Sequence, residues 1–188
     1  MVFLKKYFSS DDKRKQVWAV CPSSPYLARD MVVETEFEKS QVIVELWAGT
    51  WVFTKRIFDF STWKEKDIFI IEIEELFYEK LLENFPENHD SLYHIDARKL
   101  PLILREKGIE KIDLVISSLP FLSLPPEIFP SIMEGLSSFF HEETIYKQFS
   151  YLPKDSLYKQ YFQKIRKQFC MRNVPPATVF TCTNFKKN

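Results

Sequence analysis

The chain has 188 residues, 45% of them hydrophobic and 28% charged, and its 26 Lys/Arg balance its 26 Asp/Glu. That size and balance fit one soluble domain with a substantial core and exclude a collagen-like, low-complexity or charge-driven disordered chain. Cys21, Cys170 and Cys182 are an odd number and stand far apart, which argues against a disulfide framework and leaves no metal-ligand spacing.

The cysteines read as reduced thiols of a cytosolic protein. No long apolar segment opens the chain and no run of about 18 apolar residues occurs, so neither a signal peptide nor a membrane span is expected. The charge is unevenly spread. Residues 1–15 hold five bases and two acids, and 154–188 hold eight bases and one acid. The stretch between them has 13 bases against 23 acids. Basic ends on an acidic body favour an anionic surface, phospholipid or nucleic acid, or are simply a solvated face.

Residues 1–40 read as an N-terminal helical extension. Val2, Phe3, Leu4, Tyr7 and Phe8 share one helix side beside Lys5 and Lys6, a pattern that suits a membrane interface or a lid. Ser23 or Ser24 can cap a following helix through Pro25, Tyr26, Leu27, Met31 and Phe37.

From residue 41 onward apolar runs alternate with helical patterns. The predicted strands are Val42–Leu46, Asp67–Ile71, Ser91–Ile95, Ile112–Ser117, Thr144–Phe149 and Thr178–Thr183. Helices are predicted over Thr50–Phe60, Glu74–Asn84, Lys99–Lys107, Glu127–Phe139 and Ser156–Gln168. This alternation implies a mostly parallel α/β sheet covered on both faces. No helix fits between Phe169–Val174 and the last strand, so the chain is expected to end in an antiparallel strand pair. The whole, 1–188, reads as a single domain with its sheet in 41–188.

Candidate site residues fall at successive strand ends. Glu45 closes the first strand, and Gly49 and Thr50 let a backbone turn approach a cofactor lying across the sheet edge. Glu72 follows at the spacing where an acid accepts ribose hydroxyls. Asp96, before Ala97, is placed to accept from an adenine amino group or to cap the next helix. After Ile112–Ser117, the Ser118-Leu119-Pro120-Phe121 loop offers backbone carbonyls and an aromatic face that suit an amine.

Four stretches carry a resemblance. They are Val20-Cys21-Pro22-Ser23-Ser24-Pro25-Tyr26-Leu27-Ala28-Arg29, Glu45-Leu46-Trp47-Ala48-Gly49-Thr50, Ser117-Ser118-Leu119-Pro120, and Gln148-Phe149-Ser150-Tyr151 with Arg172-Asn173-Val174-Pro175-Pro176-Ala177. Together they resemble the class I S-adenosyl-L-methionine (SAM) methyltransferases. The likeness is to the bacterial phospholipid N-methyltransferases and, more distantly, to the ribosomal RNA adenine dimethylases, from about Phe3 to Phe180. The resemblance implies a Rossmann-like class I methyltransferase fold, with SAM as cofactor and S-adenosyl-L-homocysteine as product. It implies cofactor contacts from Glu45, Leu46, Trp47, Ala48, Gly49, Thr50, Glu72, Ile73, Asp96, Ala97 and Ser117. Ser117, Leu119 and Tyr151 take catalytic roles, and Tyr26, Phe121 and Tyr151 contact substrate.

The implied reaction is in-line transfer of the sulfonium methyl to the amine of phosphatidylethanolamine, without a metal, by a cytoplasmic protein held peripherally on the inner face of the cell membrane. The chain departs from the family pattern at several points. Trp47 and Trp51 stand where the Glu-x-Gly-x-Gly-x-Gly motif has glycine, Ile95 precedes Asp96, and Ser118 precedes Leu-Pro. An indole at 47 is expected to overlap the methionine half of the site and weaken cofactor binding. Two other readings stay open: a non-catalytic lipid- or protein-binding module whose site the indoles fill, and an RNA or small-molecule methyltransferase. The Ser-x-Leu-Pro motif argues against an RNA substrate.

Overall fold

The computed structural model describes residues 23–121 and 124–186. The expected amphipathic helix over residues 2–8, and Cys21, lie outside them. The described chain forms a seven-stranded sheet of order β3-β2-β1-β4-β5-β7-β6. Its strands are β1 (Val42–Leu46), β2 (Asp67–Glu72), β3 (Leu92–His94), β4 (Ile112–Ser117), β5 (Phe140–Ser150), β6 (Phe162–Cys170) and β7 (Ala177–Phe185). β1 to β5 run parallel, and β7 enters antiparallel between β5 and β6.

β1 is buried along its whole length because helices cover both faces of the sheet. Val42, Val44 and Leu46 pack on one side with α5 (Leu100–Glu106) and α6 (Ile128–Ser137). Ile43 packs on the other with α1 (Pro25–Met31), α2 (Glu34–Lys39) and α3 (Val52–Phe58). Each fully buried aliphatic or aromatic side chain is worth about 1.5–3 kcal/mol, so these two layers set the fold. α4 (Glu75–Asn84) follows β2, and its first residues stand at the carboxyl edge of the sheet.

Two expectations need correction. The single N-terminal helix through Phe37 is two helices. Ser24 Oγ accepts from Leu27 N and caps α1, but the chain turns extended at Val32 and Val33. The Val32 carbonyl is taken by Arg56 Nε at 2.7 Å instead of by a helical N–H, and the β-branched pair favours the break.

The expected helix Ser156–Gln168 is four residues long, α7 (Ser156–Lys159), and then becomes β6. Lys, Arg and Gln in Phe162-Gln163-Lys164-Ile165-Arg166-Lys167-Gln168 suit a helix by propensity. Here they line the outermost strand of the sheet, where long charged side chains guard an open edge. The expected antiparallel pair is present, but its first strand is Phe162–Cys170 and it turns at Met171–Pro176.

That turn is anchored. Asn173 is buried, its Oδ1 accepts from Ser24 N at 2.8 Å, and its Nδ2 donates to Pro175 O at 2.8 Å. Two motifs 149 positions apart are therefore one structural joint.

Candidate functional site

β1 to β5 all end at one edge of the sheet, and the loops there frame a cleft. A cavity of about 60 Å³ opens between the first bend, the ends of β2 and β3, and the start of α6. Its walls are Trp47, Ile71, Ile73, Ile95, Leu119 and Ile128, with Asp96 and Arg98 at its polar side. Ala97, Leu124 and Ile132 complete the lining.

The first bend keeps a special backbone. Trp47, Gly49 and Trp51 all have positive φ, at 67°, 52° and 53°. This left-handed conformation costs a residue with a Cβ roughly 1–2 kcal/mol. Trp47 N donates to Ile71 O at 2.8 Å, Gly49 N to Glu72 Oε2 at 2.8 Å, and Trp51 N to Ala48 O at 2.8 Å. These bonds tie the bend to β2 and over-determine it. The two indoles diverge. Trp47 packs against the α5–α6 layer and forms a wall of the cleft. Trp51 packs into the opposite layer with Val52, Phe58 and Phe60.

The two buried acids sit behind this bend. Glu45 is fully buried, and its Oε2 accepts from Thr54 Oγ1 at 2.7 Å. Oε1 has no hydrogen-bond partner. Burial pushes the carboxyl up to about 8, against the Thr54 bond and with help from the nearby Glu72. Glu72 is 1% exposed and accepts from the backbone N–H groups of Gly49, Ile73 and Glu74. Burial raises its carboxyl as well, against those three bonds. A carboxylate offers about four acceptor positions, so one remains. A ribose diol can take one bond there and would displace a backbone donor to take the second.

Asp96 begins the turn after β3 and caps it by accepting from Arg98 N. The Arg98 guanidinium also forks onto it, with Nε at 3.0 Å from Oδ1. Burial alone would raise this carboxyl, but the Arg98 bonds outweigh it and hold it below its ordinary value.

At the end of β4, Ser117 is fully buried, and its Oγ weakly accepts from Leu119 N at 3.4 Å. The Leu119 carbonyl accepts from Gln148 Nε2 at 3.1 Å. Gln148 Oε1 in turn accepts from the Tyr146 hydroxyl at 3.2 Å, and that hydroxyl also hydrogen bonds Ser117. Burial raises the Tyr146 phenol well above its ordinary value, so it stays neutral. Gln148 and Tyr146 thus fix the chain around 117–119, a network that sequence reading did not find.

The cleft gathers part of the expected set. Trp47, Ile73, Asp96, Ala97 and Leu119 line it. Leu46, Ala48 and Ser117 are buried beside it, and Gly49 and Thr50 are half-buried in the bend. The expected substrate residues Tyr26, Phe121 and Tyr151 do not line this cavity. Phe121 is buried edge-on against Phe129 at 4.5 Å. Tyr151 packs against Phe149, and Tyr26 lies under the Arg172 guanidinium at 4.9 Å. The walls Ile71, Leu124, Ile128 and Ile132, and the Arg98 fork, were not singled out in the sequence. Apolar residues at strand tips and on the inward stripe of α6 were the available signal.

The residues fit an adenosyl group. Apolar walls suit a flat base and Asp96 suits an exocyclic amine, while Glu45, fully buried, does not line the cavity.

No protein-family model matches the chain. An ornithine lipid N-methyltransferase from Singulisphaera acidiphila is 30% identical over 190 residues, covering 100% of this chain and 97% of that protein. Among solved structures, magnesium protoporphyrin IX methyltransferase from Synechocystis PCC 6803 with bound SAM superposes with TM-score 0.61 at 11% identity. That match covers 96% of this chain and 95% of that one. TrmN from Thermus thermophilus gives TM-score 0.60 at 13% identity over 85% of this chain. The chain spans about half, 48%, of that protein's length. Identities this low speak for the fold alone.

Proposed function

Because this chain belongs to the class I SAM-dependent methyltransferases, in the family of the ornithine lipid enzyme it matches along its whole length, we propose that it methylates the primary amine of an amino-lipid headgroup. It is a SAM-dependent methyltransferase. Phosphatidylethanolamine is the acceptor we favour, at a membrane surface. An ornithine headgroup, which the relative's name carries, presents the same amine chemistry. The full-length match is the observation that carries this reading. The cleft geometry supports it.

Bound SAM supplies an electrophilic methyl on a sulfonium. The protein positions and shields. Ile71, Ile73, Ile95 and Ile128 would enclose the adenosyl base, and Asp96 would accept from its amino group once Arg98 yields. Glu72 would accept a ribose hydroxyl at its remaining position. The bend at 47–51 would hold the cofactor's backbone-facing side. The Leu119 carbonyl, held by Gln148, stands where β4 ends and would accept from the incoming amine. Both of its lone pairs are already used, by Gln148 Nε2 at 3.1 Å and Phe121 N at 2.9 Å, so the amine would have to displace one of these donors. The amine must be neutral to attack, and its proton leaves to solvent through the cleft mouth.

The test has two arms. Calorimetric titration with SAM measures whether the cleft takes the cofactor. Incubation with methyl-labelled SAM and, separately, phosphatidylethanolamine, an ornithine lipid and RNA identifies the acceptor. We expect label in an amino lipid. Binding of SAM with label only in RNA would overturn the lipid reading, and no SAM binding by folded protein would overturn catalysis.

A further inference from the structure

Among the described residues, Leu76 and Leu102 are exposed singly on α4 and α5, and the other large exposed apolar side chains gather at one end of the sheet. Met171 is 68% exposed, Val174 81%, Phe169 59% and Leu152 52%. Met171 and Val174 sit in the β6–β7 turn, Phe169 is the last residue but one of β6, and Leu152 follows β5. β6 is antiparallel to β7, which is antiparallel to β5, so β5 and β6 end at the same edge as the cleft. From β4, whose end forms the cleft floor, to β6 is three strand steps, roughly 14 Å.

The turn is braced. Buried Asn173 joins it to Ser24 and Pro175, and the Arg172 guanidinium lies 4.9 Å from the Tyr26 ring. Its apolar tips are therefore held outward on a fixed frame and do not fold back on the core. From Tyr151 to Lys186 the chain has seven bases and one acid, Asp155, but Lys159, Lys164 and Lys186 stand at the opposite edge of the sheet and Asp30 accepts from Gln168 near the turn. Arg172 and Lys154 are exposed beside the apolar tips.

We infer that the β6–β7 turn, with Leu152 beside it, is a wedge that seats this edge of the sheet in an anionic phospholipid bilayer. Apolar tips flanked by Arg172 and Lys154 match a bilayer interface, where chains take up the tips and anionic headgroups take up the bases. Seated there, the cleft mouth faces the headgroup layer, and an amino lipid reaches the end of β4 by lateral movement without leaving the membrane. The inference rests on the lipid acceptor proposed above and names the surface that delivers it.

The test uses the full chain and phosphatidylcholine vesicles with and without phosphatidylglycerol, read by co-sedimentation. Wild type should bind the anionic vesicles and release with salt. The variant Met171→Glu/Val174→Glu should lose at least about tenfold in partitioning. The neutral Met171→Ser/Val174→Ser should lose in the same direction by less. Both should keep the circular dichroism, the SAM titration and the methyl transfer to a short-chain amino lipid of the wild type. Unchanged vesicle binding by both variants overturns the inference. So does a wild type that methylates an amino lipid in micelles but ignores vesicles, and this leaves the proposed function standing. Loss of self-association without any change in vesicle binding would assign the face to a second copy and likewise overturn it. No methyl transfer to amino lipid in any format sinks the lipid reading itself.

Discussion

Replacing Glu45 by Gln tests the electrostatics of the site directly. Gln keeps an oxygen for Thr54 Oγ1 and removes the ionisable proton. In the folded protein burial lifts the Glu45 carboxyl from 4.5 to about 8. The folded state therefore holds a proton that the unfolded chain has released, between pH 4.5 and 8. Stability from this group is complete below the unfolded value and falls as pH rises through the folded one. The slope is one proton, about 1.4 kcal/mol per pH unit, or roughly 3 kcal/mol between pH 5 and 7. Glu72, also raised, adds to the same trend in the wild type and in the variant, and the difference between them reports Glu45 together with its coupling to Glu72. Urea unfolding of both proteins at half-unit steps from pH 5 to 8 measures that difference. Wild type should lose stability relative to Glu45→Gln steadily across the range. A difference flat to within about 0.5 kcal/mol would mean that the carboxyl titrates in the ordinary range, and would remove the desolvated site on which the reasoning stands.

Trp47→Gly relieves a left-handed residue but deletes a cleft wall packed on the core; the melting temperature should fall, while calorimetry should show tighter SAM binding in the widened cleft. Weaker SAM binding would show instead that the cofactor uses the indole as a wall. Asn173→Ala leaves the Ser24 amide and the Pro175 carbonyl without their partner in a buried joint, and chemical denaturation should report a loss of about 1–3 kcal/mol. Arg98→Met frees Asp96 from its fork, so SAM should bind several-fold tighter by titration, and an unchanged affinity would detach Asp96 from the cofactor.

Much of the sheet was legible because burial on both faces writes itself as unbroken apolar runs, as in Val42–Leu46 and Ile112–Ser117. β6 was not legible. An outermost strand tolerates Lys, Arg and Gln for solvation, and the same residues are good helix formers. The acids at three strand ends were readable from order and spacing. Their surroundings were not: the fork of Arg98 on Asp96, the three backbone donors on Glu72 and the Tyr146–Gln148–Leu119 chain depend on which loops meet in space. The Ser24–Asn173 joint shows the same limit, since each half is a separate motif in sequence and neither names its partner.

The two tryptophans separate what a glycine motif does into two parts. Glycine at such a bend permits positive φ, and it leaves room. At 47 and 51 the first function persists, because hydrogen bonds to Ile71 O and Ala48 O hold the left-handed backbone against the strain of a side chain. The second function is lost at 47 alone, where the indole stands in the cleft wall. At 51 the indole turns into the other layer and takes no room from the site. The bend therefore keeps the backbone course of a glycine bend, with its Trp47, Ala48, Gly49 and Trp51 amides bonded within the protein, and the chain differs from its family pattern in the shape of one wall. Gly49 remains at a φ of 52°, and a Cβ there would meet Trp47 Cδ1 only in ordinary contact at 3.4 Å, so glycine at 49 is kept for the left-handed backbone and not for room.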